Sequence, residues 1–208
     1  MGRIQLPSIC MITEDSSCQS DRDLLDRISS SVRGGVNMVQ LRNAKKSPGE
    51  LYSLALEIRS ITVEKALFVV NDRIDVAIAS GADGVQLKES SLCVQDTRKI
   101  CGNSLLIGRS IHSIEGAIQA QNDGADFLLC GTVFKSETHE DIEPNGLGFL
   151  ASLRGEIDIP IIAVGGITQS NVLDCIQAGA QGVAMIRAFS KSHDPEKVAR
   201  SFYELLNK

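Results

Sequence analysis

Short runs of Val, Ile and Leu alternate with amphipathic stretches along the whole chain. The runs at Ser8–Ile12, Val36–Leu41, Leu67–Val70, Gly84–Leu87, Leu105–Gly108, Phe127–Cys130, Pro160–Val164 and Gly182–Ile186 are almost continuously apolar. That is the pattern of strands covered on both faces of a parallel sheet. Between them, Asp23–Arg33 places Leu24, Leu25, Ile28 and Val32 at helical spacing, and Glu50–Ile61 does the same with Leu51, Leu54, Ala55, Ile58 and Ile61. Ser47-Pro48, Ser113-Ile114-Glu115 and Thr168–Asn171 supply helix-opening caps.

A weak internal repeat refines this picture. Gly34-Gly35-Val36, Gly81-Ala82-Asp83-Gly84-Val85, Gly124-Ala125-Asp126-Phe127 and Gly179-Ala180-Gln181-Gly182-Val183 each close a helix and open a strand. Glycine suits the left-handed residue that ends a helix. The copies precede the second, fourth, sixth and eighth strands, so each step spans two strand–helix units. The bland alternative is that Gly-Ala turns simply recur in α/β proteins. Eight strands alternating with helices predict an α/β fold, a single (β/α)8 TIM barrel over residues 1–208. The 208 residues suit one such barrel or two small domains, and no Pro/Ser linker or charge block divides them.

The 21 Lys and Arg against 26 Asp and Glu give a net charge of −5, which argues against a nucleic-acid or anionic-membrane partner. No apolar run reaches the roughly 20 residues that cross a bilayer, and the chain reads as cytoplasmic. Its six cysteines form no Cys-x-x-Cys pair; Cys10, Cys130 and Cys175 sit in apolar segments and read as buried thiols.

A barrel of this kind carries its chemistry on the loops at the C-terminal strand ends. That rule selects Gln40, Arg42 and Lys45 after the second strand, Asn71 and Asp72 after the third, and Lys88 to Ser91 after the fourth. It adds Arg109, Ser110 and His112 after the fifth strand, a long polar loop from Gly131 to His139 after the sixth, Gly165-Gly166 after the seventh, and Arg187-Ala188 after the eighth. The predicted mouth is therefore basic on an acidic protein, which favours an anionic small-molecule ligand. The Gly165-Gly166 turn, leading into a helix start at Thr168–Asn171, fits a phosphate cradle, although a turn can require such glycines for shape alone. Asp72 is equally a Mg²⁺ ligand or a cap on the next helix. His112 and His139 are candidate acid–base groups, although His112 reads first as a hydrogen-bonded part of the next helix's start.

The segments VQLRNAKK, FVVNDRIDVA, GADGVQL, IGRSIHSIEGA, GADFLLCGTVF, IPIIAVGGIT and AGAQGVAMIRAFS, in this order, resemble the thiamine phosphate synthase/TenI family over essentially the whole chain. The resemblance implies a homodimeric barrel in thiamine biosynthesis. Its synthase branch joins hydroxymethylpyrimidine pyrophosphate to a thiazole phosphate and releases pyrophosphate with Mg²⁺. On that pattern Gln40 and Arg42 match a pyrimidine pyrophosphate motif, and Asn71 and Asp72 a pyrophosphate and metal motif. Ser110 matches a serine near the pyrophosphate, and Gly165 and Gly166 the thiazole-phosphate turn.

The chain also departs from that pattern. Ser91 stands where the synthase motif has a second metal-binding Asp, and Gln86 where it has His. Lys135-Ser136-Glu137-Thr138-His139 replaces Pro-Thr-x-Thr-Lys, so His139 takes the place of a pyrophosphate-binding Lys while Ser136 and Thr138 keep hydroxyls there. Arg187, beside Ala188, replaces a Ser in the last phosphate turn. Lys135, Lys45 and Arg187 are the cations available to compensate. The TenI-like branch tautomerises a thiazole phosphate without metal, using a His where this chain has Thr132, with His139 or His112 as substitutes. A catalytically silent binder of thiamine-related phosphates, acting as a regulator or through a partner, is the reading from another class.

Overall fold

The computed structural model describes residues 4–14, 20–135 and 143–207. Its strands are β1 (Ser8–Ile12), β2 (Met38–Leu41), β3 (Leu67–Asn71), β4 (Gly84–Leu87), β5 (Leu106–Ile111), β6 (Phe127–Cys130), β7 (Ile161–Val164) and β8 (Gly182–Met185). Between and after them run α1 (Asp21–Arg33), α2 (Pro48–Thr62), α3 (Ile74–Ala79), α4 (Val94–Cys101) and α5 (Ile114–Asn122). The later helices are α6 (Gly146–Glu156), α7 (Val172–Gln177), α8 (Arg187–Ser190) and α9 (Pro195–Leu206). All strands are parallel and pair in sequence order, and β1 returns to β8 with Ser8 opposite Gly182 and Met11 opposite Met185. The fold is a closed (β/α)8 barrel.

Alternation along each strand divides the core in two. One set of side chains, including Cys10, Met38, Val69, Leu106, Phe127 and Ile162, fills the barrel. The other, including Ile9, Val39, Phe68, Val85, Ile107 and Leu128, packs against Ile28, Leu54, Ile58 and Leu150 of the surrounding helices. Helix starts follow the local sequence. Ser47 and Glu50 form a capping box ahead of Pro48, and Ser113 accepts from Gly116 N–H.

The repeat has a physical basis. Gly35, Gly81, Gly124 and Gly179 all have positive φ, at 116°, 66°, 93° and 103°. Two residues after each stands a side chain that accepts from a backbone N–H of the preceding strand. Asn37 takes Ile9 N–H at 2.8 Å, Asp83 takes Phe68 N–H at 2.8 Å, Asp126 takes Ile107 N–H at 2.7 Å, and Gln181 takes Ile161 N–H at 3.4 Å. The same four residues return their own N–H to the carbonyls of Ile9, Phe68, Ile107 and Ile161. Each odd strand is thus clamped at its start to the even strand that follows, so the recurrence is more than a recurrent Gly-Ala turn.

Most boundaries move by a residue or two, and two of the shifts bear on the mouth. β5 runs to Ile111 rather than Gly108, because Arg109, Ser110 and Ile111 continue the ladder with Leu128, Leu129 and Cys130. The helix expected to open at Thr168–Asn171 begins at Val172; Asn171 instead accepts Thr168 N–H at 2.7 Å and donates to Gly166 O at 3.0 Å. Cys10, Cys101, Cys130 and Cys175 are buried thiols. Burial pushes Cys10 and Cys130 up to about 12 and Cys175 to about 11. No described helix is long and apolar enough to cross a membrane.

Candidate functional site

A cavity of about 1400 Å³ opens at the C-terminal ends of the strands. At its floor the inward side chains of neighbouring strands form a polar layer above the apolar barrel filling. Gln40 Nε2 donates to Asn71 Oδ1 at 3.0 Å, and Gln86 Nε2 donates to Ser110 Oγ at 3.1 Å. Gln40 is 4% and Gln86 1% exposed, so these amides are fixed in place rather than solvated. Gln86 Oε1 has no partner among the described residues and lies against Gly108, whose open side the Phe127 ring also crowds.

The basic residues of the mouth fall into two groups. Arg42, Arg73 and Lys88 stand at the ends of β2, β3 and β4, whereas Lys135, Arg187 and Lys191 line the β6 to β8 side. β3 and β7 are four strands apart in the ring, so the groups face one another across the mouth. Arg42 is set by its backbone: its N–H donates to Thr13 Oγ1 at 2.9 Å, and that hydroxyl donates back to Arg42 O at 3.0 Å.

On the second side the Gly165-Gly166 turn packs directly on the β6 loop. Phe134 N–H donates to Gly165 O at 3.1 Å, and a Cβ on Gly166 would lie 2.6 Å from Lys135 O. With φ at 100° and 64°, both glycines are required by backbone shape as well as by proximity. The backbone N–H groups of Gly166 and Ala188 have no intramolecular partner among the described residues, leaving donors for an anion beside Arg187.

Most residues selected from sequence line this one cavity: Gln40, Arg42, Asn71, Asp72, Ser110, Thr132, Gly165, Gly166, Arg187 and Ala188. Ser136, Thr138 and His139 lie outside the described residues. Lys45 does not line it. Asn43 Oδ1 accepts from both Lys45 and Lys46 N–H, and the turn so made sends Lys46 into the wall, paired with Asp21 at 2.8 Å. Arg109 is also absent, because in the extended β5 it alternates away from Gly108 and Ser110. It donates instead to the carbonyls of Leu92 and Glu89, in a separate cleft of about 320 Å³. Sequence reasoning missed Thr13 and Lys191. Neither carries a motif, and only their position after β1 and after α8 gives them a role.

Asp72 does not cap the next helix, since α3 starts at Ile74 without a side-chain cap. Its φ of 64° turns the carboxylate instead toward the β4 loop. The Ser91 hydroxyl donates to Oδ1, Lys88 Nζ donates to Oδ2 at 3.0 Å, and Lys88 N–H donates to Ser91 Oγ at 2.9 Å. Burial raises the Asp72 carboxyl, but Ser91, Lys88 and Arg109 outweigh it and hold the group below the usual 3.8. Next to this, the Glu89 carboxylate accepts His112 N–H at 3.1 Å and lies 3.1 Å from His112 Nδ1.

Residues 9–189 match the family model described as thiamine monophosphate synthase. The chain belongs to this family. It is 38% identical over 202 residues to a thiamine-phosphate synthase of Chlorobium phaeobacteroides, covering 96% of each chain. It is 41% identical over 193 residues to one of Methanoculleus marisnigri, covering 91% of each. Among solved structures, a thiamine phosphate pyrophosphorylase from Pyrococcus furiosus superposes with a TM-score of 0.88 at 31% identity, covering 96% of this chain and 95% of that one.

The Mg²⁺ that the family resemblance implies finds a poor donor set in this member. Magnesium wants oxygen ligands in a near-octahedral shell. Asp72 offers one carboxylate, whose two oxygens already receive a hydroxyl and an ammonium. No group of three or more His, Cys, Asp or Glu that could hold a metal occurs among the described residues.

Proposed function

We propose that this chain joins hydroxymethylpyrimidine pyrophosphate to a hydroxyethylthiazole phosphate, releasing pyrophosphate and forming thiamine phosphate. One observation carries the reading beyond the names of its relatives: a single cavity has cationic walls on two opposite sides. A substrate pair with one pyrophosphate and one monophosphate needs two anion sites, whereas a phosphate-sugar isomerase needs one. The carbon–oxygen bond between the pyrimidine methylene and the pyrophosphate breaks, and the electron pair leaves with the pyrophosphate oxygen. The thiazole nitrogen lone pair then forms the new carbon–nitrogen bond. No proton or electron is left over.

The chain's part is orientation and charge. Arg42, Arg73 and Lys88 receive the pyrophosphate, with Asn71 and Ser110 as uncharged donors at its base. Gly166 and Ala188 N–H with Arg187 receive the monophosphate on the other wall. Gln40 and Gln86 hold Asn71 and Ser110 in place.

The test mixes both substrates with the purified protein and follows pyrophosphate release. Saturable release, reduced by about 100-fold in kcat/KM in Arg42→Ala, is the expected result. Thiazole phosphate binding without release would instead establish the silent binder. The Glu89–His112 pair favours a second reading, TenI-like tautomerisation, because a carboxylate that orients an imidazole at the mouth is a general-base arrangement. Proton exchange into a carboxythiazole phosphate that is lost in His112→Gln would support it.

A further inference from the structure

We propose that, among the cations around the pyrophosphate, Lys88 does the work of a divalent ion, its ammonium occupying at Asp72 the place that such an ion would otherwise take. The inference rests on the reaction proposed above and concerns which charge assists the leaving group. Three observations carry it. The Lys88 ammonium is 3.0 Å from Asp72 Oδ2. The Ser91 hydroxyl covers Oδ1 while accepting the Lys88 backbone N–H at 2.9 Å, so the β4 loop is folded around this carboxylate. Lys88, Asp72, Arg73 and Ser110 line the same cavity, so the ammonium faces the space in which a pyrophosphate would lie.

The chemistry of the donor set points the same way. An ammonium carries three N–H donors. One is spent on Asp72, and the others remain for phosphate oxygens. Ser91 cannot contribute a second negative charge, so a divalent ion entering here would meet one carboxylate and an adjacent positive charge. The two arrangements predict opposite effects of neutralising Asp72. If Asp72 held a metal that held the pyrophosphate, its loss would remove binding. If Asp72 instead holds Lys88, its loss frees the ammonium and removes a like charge from the anion's surroundings. Asp72→Asn is the suitable change, because Asn tolerates the left-handed backbone found there.

The experiment titrates inorganic pyrophosphate calorimetrically into the full chain, once with EDTA and once with Mg²⁺. In EDTA the unaltered protein should bind, Lys88→Ala should bind about tenfold or more weakly, and Asp72→Asn should bind at least as tightly as the parent. Binding abolished by EDTA and restored by Mg²⁺, or abolished by Asp72→Asn, overturns the proposal. A second measurement needs no substrate: Mn²⁺ binding by water proton relaxation, comparing the unaltered chain with Lys88→Ala/Ser91→Asp. The double variant should bind Mn²⁺ about tenfold or more tightly, and equal binding overturns the claim that the ammonium holds the cation's place. A protein that binds pyrophosphate in neither buffer refutes the proposed reaction and the ligand assigned to Lys88. The Mn²⁺ comparison decides the cation question by itself in that case. Thermal melting of each variant confirms that the fold is kept.

Discussion

Asp83→Ala removes one acceptor from the β3–β4 clamp and nothing from the mouth. The carboxylate accepts Phe68 N–H at 2.8 Å and Arg59 at 2.7 Å, and its side chain is 16% exposed. After truncation the N–H of Phe68, a residue with no exposed surface, has lost its charged acceptor at the start of a buried strand. A hydrogen bond to a charged group contributes about 1.5–3 kcal/mol. The Arg59 pair, part exposed, adds less than about 1 kcal/mol. The expected loss is about 1.5–4 kcal/mol. Asp83→Asn keeps an acceptor and should cost about 1 kcal/mol, because Asn37 and Gln181 perform the same task as amides. Urea unfolding at pH 7, followed by far-UV circular dichroism at unchanged m-value, measures both. The clamp argument fails if Asp83→Ala costs less than about 0.5 kcal/mol, the range of ordinary surface changes, or if Asn is as damaging as Ala.

Gly166→Ala should destabilise by about 1–3 kcal/mol and weaken monophosphate binding, since its Cβ would meet Lys135 O at 2.6 Å; urea unfolding and a phosphate titration read the two effects. Gly108→Ala should cost a similar 1–3 kcal/mol by overpacking against the Phe127 ring and Gln86, and thermal melting shows it. Asp72, held below its usual 3.8, contributes stability that is complete above that value and is lost as the pH falls through its lower folded value. In acid titrations followed by urea unfolding, the parent should therefore exceed Asp72→Asn by a constant margin above pH 4, and the two should converge as the pH falls below it. Among the described cysteines, iodoacetamide at pH 8 should label exposed Cys93 in the native protein, while Cys10, Cys101, Cys130 and Cys175 require unfolding; mass spectrometry of the labelled peptides decides this.

The strands were legible because burial on both faces leaves an apolar run whatever the surroundings. The end of β5 was not, because the ladder is made by backbone groups and continues through Arg109 and Ser110 regardless of side-chain polarity. Ending β5 at Gly108 puts Arg109 in the mouth, whereas alternation along the longer strand keeps it out. Lys45 and Lys46 could not be separated by pattern, since the choice depends on how Asn43 folds the chain before Ser47. The glycine recurrence was visible, yet its reason lay in the residues two positions later, which differ chemically as Asn, Asp, Asp and Gln. Asp72 can be read as ligand or cap, and only the backbone turn that sends it to Lys88 removes the cap.

The clamps lie at the strand starts, and each joins an odd strand to the even strand immediately after it. The ring is therefore four self-fastened quarters, each a strand, a helix and a strand, joined through α2, α4 and α6. New chain termini opened next to those three helices would leave every clamp intact, whereas a break between β3 and β4 would separate Asp83 from Phe68. Permuted chains of the first kind should fold and those of the second should not. The mouth lies at the opposite end, so a change of side chain there leaves intact what closes the barrel.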